Sequence, residues 1–195
     1  MSRLTLAQKY APRHLSDVRG QKFSVDYFSA VVKRPELAFR NYIITGPRGV
    51  GKSSIVRSFA NDLIGTEDAR ETVQYVELDS YQIKDRERML ALKSFIFQEV
   101  PGYKVVLLDE FHLVDPDVQS GLLIDLESCT LPIFFFLAST EHDGILDTLF
   151  SRSLHFVLSR FPADGIAAYL DEICEKEEIE LSPETKQVIT FRSFG

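Results

Sequence analysis

The 195 residues are enough for one ordinary domain, or one domain with part of a second, and can bury a substantial core. With 45% hydrophobic and 26% charged residues, the chain is not wholly disordered, collagenous or of low complexity. Its 22 basic and 29 acidic side chains leave a net charge of -7, so it cannot coat nucleic acid by bulk charge; any such contact must come from a local patch or from partner subunits.

The first 15 residues scatter Arg3, Lys9, Arg13 and His14 among apolar residues and offer no continuous apolar stretch for a signal peptide. Asn41 to Thr45 reads as a short strand ending at a glycine loop. Ser53 to Leu63 follows as a helix with Ile55, Val56, Phe59, Ala60 and Leu63 on one stripe. Val73 to Leu78 reads as a second strand and Asp85 to Phe97 as a helix, with Met89, Leu90, Leu92 and Ile96 as core candidates. Lys104 to Leu108 has the composition of a strand buried on both faces. Asp115-Pro116 opens a helix carrying Val118, Leu122, Leu123 and Leu126. Ile133 to Ala138 is apolar throughout and reads as the central strand; a short helix near Asp143 to Phe150 and a last strand at Leu154 to Leu158 complete five βα units.

Beyond Pro162 the pattern is helical only. Ile166, Tyr169, Leu170 and Ile173 recur at helical spacing, and Ser182-Pro183-Glu184 opens a further helix. A boundary is therefore expected near Ser159 to Phe161, separating a core of residues 1–160 from helices in 161–195. The apolar run Leu131 to Ala138 is too short to span a bilayer. Cys129 and Cys174 stand far apart, which supports neither a disulfide framework nor a cysteine-rich zinc module and makes a reducing, cytoplasmic setting the default.

The most informative segment is Gly46-Pro47-Arg48-Gly49-Val50-Gly51-Lys52-Ser53, a complete G-x-x-x-x-G-K-S between a strand and a helix. Its glycines let backbone N–H groups turn inward around a phosphate, Lys52 offers charge to the β- and γ-phosphates, and Ser53 offers a hydroxyl to Mg²⁺. Asp109 and Glu110, at the carboxyl end of a buried strand, are placed to hold Mg²⁺ through water and to polarise an attacking water.

Flanking motifs resemble the clamp-loader ATPases of the AAA+ type. Lys9-Tyr10-Ala11-Pro12 and Asp17-Val18-Arg19-Gly20-Gln21 look like their K-Y-R-P and D-V-x-G-Q boxes, and Leu108 to Glu127 resembles an L-D-E-x-H stretch running into a helix ending L-x-x-L-E. Phe136 to Thr140 looks like the sensor 1 strand, and Phe150-Ser151-Arg152-Ser153 like the S-R-C motif. The likeness spans nearly the whole chain and is nearest to the gamma/tau subunit of bacterial DNA polymerase III, extending to replication factor C small subunits. It implies an α/β fold: a five-stranded parallel P-loop sheet flanked by helices, then the start of an α-helical lid.

The resemblance further implies that Gly46 to Ser53 and Ser54 bind ATP, that Ser53 and Asp109 hold Mg²⁺, and that Glu110 activates water. Thr140 would be sensor 1, with Ser139 as the alternative one residue earlier, and Arg152 a finger reaching the ATP of the next subunit. Tyr10, Pro12 and Val18 would line the adenine and ribose pocket, although core packing explains them equally well. Lys84, Arg86 and Arg88 would face template DNA, with Arg88 the best positional match; the alternating signs of residues 84–88 equally suit a solvated helix start. The implied partners are sister subunits in a pentameric ring-like assembly, a sliding clamp and primer-template DNA, with no membrane.

Ser153 replaces the usual cysteine, Ala11 replaces an arginine with Arg13 close by, and a zinc module after the phosphate-loop helix is missing, which fits a viral or divergent branch. The sequence stops at Ser193-Phe194-Gly195, where the family continues into a sensor 2 arginine and a helical collar. A piece without that collar is expected to assemble poorly. Three other readings remain open at this point: another AAA+ remodeller such as a branch-migration motor, a small P-loop kinase, and a nucleotide-binding module that does not hydrolyse.

Overall fold

A computed structural model describes residues 5–193, so Arg3, Phe194 and Gly195 lie outside the described residues. Five parallel strands form one sheet in the order β2-β3-β4-β1-β5: β1 Asn41–Thr45, β2 Tyr75–Asp79, β3 Lys104–Asp109, β4 Ile133–Ser139 and β5 Leu154–Val157. Parallel neighbours require crossovers, and the crossovers are helical. The short α1 Leu6–Lys9 and α2 Lys22–Lys33 precede β1; α3 Lys52–Ile64 joins β1 to β2. Helices α4 Ser80–Ile83 and α5 Arg86–Ile96 lead to β3, α6 Pro116–Ser128 to β4 and α7 Asp147–Phe150 to β5. Finally, α8 Ala163–Glu177 and α9 Pro183–Arg192 close the described chain.

Side-chain alternation along the strands builds two cores, one on each face of the sheet. On one face Phe134, Phe136 and Ala138 of β4, with Tyr42 and Ile44 of β1, pack against Phe28 and Val31 of α2 and Ile55, Val56, Phe59 and Ala60 of α3. Phe136 stacks on Tyr42 at 4.9 Å and meets Phe59 at 5.3 Å, and burying a ring of this size contributes about 1.5–3 kcal/mol. On the other face Ile133, Phe135 and Leu137 meet Met89 and Ile96 of α5 and Val118, Leu122 and Leu126 of α6. Being apolar on both sides is what makes β4 central, as its sequence suggests.

Two local expectations are corrected. Leu90 was expected in the core but is 57% exposed, because Met89 and Ile96 already fill the face that α5 turns to the sheet. The helix expected near Asp143 begins only at Asp147. Gly144 packs against His112, and Gln119 fixes the preceding loop by donating to Gly144 O at 2.8 Å and accepting from Leu146 N at 3.1 Å. Asp115 precedes α6 without a side-chain capping bond; its N–H instead donates to Lys84 O at 2.9 Å, tying α6 to the turn after α4. Among the described residues no helix is long and apolar enough to cross a membrane.

Candidate nucleotide site

The residues singled out for phosphate chemistry gather at the carboxyl ends of β1, β3 and β4, the edge where open α/β sheets bind ligands. Thr45 pairs with Ser139, and Gly46 N donates to Ser139 O at 3.2 Å, so the phosphate loop leaves the sheet directly beside the end of β4. Gly46 has φ +151°, and a Cβ there would lie 2.4 Å from Leu158 O. Gly51 has φ +95° and caps α3, whose first turn points its free N–H groups into the loop.

Lys52 is 7% exposed, and its ammonium donates to Gly46 O at 2.8 Å and Pro47 O at 3.1 Å, holding the loop closed on itself. Burial pushes this ammonium below its ordinary pKa, while Glu110 and Asp109 pull it back up. Ser53 Oγ donates to Asp109 Oδ2 at 2.7 Å, so a hydroxyl and a carboxylate oxygen meet at one point. A hydroxyl and a carboxylate oxygen side by side are hard donors of the kind that suit Mg²⁺. Arg48 is exposed with Nε 3.7 Å from Glu110 Oε1.

Glu110 adopts the left-handed conformation at φ +49°, an unusual state for a residue with a side chain and one that recurs at functional sites. Its N–H donates to Asp109 Oδ1 at 2.9 Å, and its Oε2 accepts from Thr140 Oγ1 at 3.0 Å. Thr140 thus reaches Glu110, whereas Ser139 is fully buried and turns to His112 and Glu141. Arg152 lies elsewhere. Its Nε pairs with Glu127 and its Nη1 donates to Thr148 O at 3.2 Å, while Asn41 at the amino end of β1 donates to Arg152 O at 3.5 Å.

Tyr10, Pro12 and Val18 line a cavity of about 550 Å³ shared with Gly49, Val50 and Ser54 of the loop region. The opposite wall comes from Phe161 and from Ile166, Tyr169, Leu170 and Ile173, the four residues that recur at helical spacing in the sequence. The four α8 residues are only half-buried, because they face this cavity. Tyr169 donates to Tyr10 O at 3.2 Å and Tyr10 to Glu177 at 2.6 Å, drawing α8 onto the N-terminal segment. Gln21 was also missed as a site residue: its amide donates to Ser159 O at 2.7 Å and Val50 O at 3.4 Å, linking the loop to the segment before α8.

On the far side of the sheet, Lys84 and Arg86 are exposed. Arg88 is engaged internally, with Nη1 donating to Tyr81 O at 2.7 Å, Nε 3.3 Å from Asp85, and its guanidinium over the Tyr81 ring. Ser153 Oγ is buried without a hydrogen-bond partner, an environment suited to the less polar thiol that the resemblance has there. Arg13 pairs with Glu67 at 3.5 Å.

An AAA domain family description matches residues 38–123. A replication factor C small subunit of Haloarcula marismortui is 28% identical, covering 96% of this chain and 57% of the relative. A DNA polymerase III subunit gamma of Buchnera aphidicola is 27% identical over 97% of this chain and 57% of its own length. The chain therefore spans a little over half the length of these relatives. The Thermotoga maritima RuvB Holliday junction branch migration motor superposes with a TM-score of 0.75 at 19% identity, covering 94% of this chain and 60% of that one, a likeness of fold. The fold is that of a P-loop AAA+ domain, and the sequence is clamp-loader-like.

Proposed function

We propose that this chain is the motor portion of a DNA sliding-clamp loader, which binds and hydrolyses ATP between neighbouring subunits to open a clamp and place it on primer-template DNA. On this reading residues 1–160 are the ATPase core and 161–195 begin the lid. The observation that carries it is the convergence of Lys52, Ser53, Asp109, Glu110 and Thr140 at one sheet edge while Arg152 sits at the other. Five residues of β1 separate the two ends, about 16 Å of strand, farther than an arginine side chain reaches. Arg152 therefore serves a neighbour's nucleotide and not its own.

Tyr10, Pro12 and Val18 hold the base and ribose in the cavity, and Gly46 to Ser54 hold the phosphates. Lys52 leaves its two loop carbonyls for the β- and γ-oxygens. Ser53 and Asp109 would hold Mg²⁺, which when bound neutralises charge on the phosphate oxygens. Glu110 orients the attacking water and accepts its proton as the bond to the γ-phosphorus forms and the bridge to ADP breaks. Thr140 holds the Glu110 carboxylate and senses the γ-phosphate. The neighbour's arginine, acting in trans, stabilises the charge of the transition state. Lys84 and Arg86, joined by Arg88 once it leaves Asp85, contact template phosphates.

The test is steady-state ATP hydrolysis by the full-length protein with its sister subunits. Strong joint stimulation by clamp and primed DNA is expected. Hydrolysis indifferent to both would reject the clamp-loading role in favour of another AAA+ remodeller.

A further inference from the structure

Beside Glu110 stands an imidazole that the scheme above leaves unused. The His112 side chain is 8% exposed, with Nδ1 2.9 Å from Ser139 Oγ and 3.6 Å from Glu110 Oε2. Gly144 presses on it so closely that a Cβ there would come within 2.5 Å of the His112 Cβ, which leaves the histidine backbone little room to shift.

The hydrogen bonds of Ser139 fix the His112 tautomer. A serine hydroxyl has one proton and two acceptor sites. Ser139 Oγ donates its proton to Glu141 O and accepts from Glu141 N–H at 3.0 Å. One acceptor site remains, and it faces His112 Nδ1; that nitrogen must therefore carry a proton. The same nitrogen stands 3.6 Å from Glu110 Oε2, the oxygen that accepts from Thr140; this is beyond hydrogen-bond length, so the ring flanks the carboxylate without donating to it. A donor hydroxyl and a fixed imidazole thus face one carboxylate oxygen of a residue held in the left-handed conformation.

We propose that His112 is a positioning residue for Glu110: its ring, held in place by the Nδ1–H bond to Ser139 at the end of β4, flanks the carboxylate and keeps it turned toward the water it is to activate. The inference rests on the role given to Glu110 above. The end of β4 thereby acts on the glutamate by two routes, the hydrogen bond from Thr140 and the flanking ring that Ser139 holds, so any shift of that strand end on sensing phosphate reaches Glu110 by both.

Asparagine places an amide N–H where Nδ1 stands, glutamine places one where Nε2 stands, and alanine places none. In the full-length assembly, His112→Ala and His112→Gln are expected to lower kcat about tenfold or more with KM for ATP within about twofold, and His112→Asn to recover to within about threefold of the parent. In the chain itself, ¹⁵N spectra of the imidazole are expected to show Nδ1 protonated and Nε2 bare. A protonated Nε2 with a bare Nδ1 overturns the proposal. So does a series in which asparagine is as impaired as alanine and kcat follows thermal stability, since that marks a packing role. Glu110→Gln separates the two levels: if it abolishes hydrolysis while His112→Gln keeps the parent kcat, this inference alone fails; if Glu110→Gln itself retains hydrolysis, the reading of Glu110 fails with it.

Discussion

At the carboxyl end of the sheet, Lys52, Ser53, Glu110 and Thr140 each commit their polar atoms to partners within the chain, at distances from 2.7 to 3.1 Å. In the cavity next to it, Tyr10, Val18, Ile166 and Leu170 present half-buried apolar surface, and α8 is drawn to the N-terminal segment by Lys9–Glu177 and Arg19–Glu172, pairs that reach solvent. The first region is set on buried strands and is preorganised. The second is held by interactions worth about 0–1 kcal/mol each, so its walls can move. On the proposed function, chemistry that depends on oriented charge falls to the rigid part and recognition of a flat base to the adaptable part.

The contrast can be broken first at its rigid end. Glu110→Gln is expected to reduce hydrolysis by about 10²-fold or more while nucleotide still binds, read by single-turnover hydrolysis beside a binding titration. Next, Gly46→Ala forces a methyl against Leu158 O in a backbone conformation that L-residues avoid. It is expected to cost about 1–3 kcal/mol in a denaturant melt and to abolish nucleotide binding. At the adaptable end, Tyr169→Ala should weaken ATP binding about tenfold, removing an aromatic wall, yet leave kcat at saturation within about twofold.

Smaller effects test the scaffold. Burial alone would raise the Glu77 pKa, but hydrogen bonds from Arg57 and Tyr75 bring it below the ordinary value. A depressed carboxylate adds stability that is complete above the unfolded value of about 4.3 and is lost as pH falls through the folded value. Glu77→Gln should therefore lower stability by about 1–3 kcal/mol at neutral pH and flatten the acid limb of the melting profile. Ser153→Cys should raise stability by about 1 kcal/mol by removing an unpartnered buried hydroxyl, visible as a shift in Tm.

The rigid region was the legible one, because phosphate chemistry demands particular residue types at fixed spacing: the loop glycines, Lys52, Ser53 and the Asp109-Glu110 pair can be read without coordinates. Strand β1 matches its expected bounds, and β4 its central place. Helix α2 is not among the expected elements although Ser24, Phe28 and Val31 lie buried along one side, because no capping side chain marks its start: Gln21 precedes it without a side-chain capping bond. Strand β2 begins two residues later than its β-rich pattern suggests: Val73 is exposed, and the Gln74 side chain donates to the carbonyls of Pro101 and Tyr103. Lys104 opens β3 fully buried, its ammonium donating to Phe95 O at 2.6 Å near the end of α5, a tertiary capping contact no local pattern announces. The α8 stripe shows the general limit. Periodicity identifies an apolar face, but whether that face meets protein or a ligand cavity depends on what the rest of the chain leaves beside it.

The most direct test of the whole account is Arg152→Ala in the full-length assembly, measured with clamp and primed DNA for both hydrolysis and nucleotide affinity. The account predicts a loss of about 10³- to 10⁵-fold in kcat with nucleotide affinity within about threefold, the signature of a charge supplied by a neighbour to the transition state. Parent-level hydrolysis in that variant would contradict a site completed between subunits.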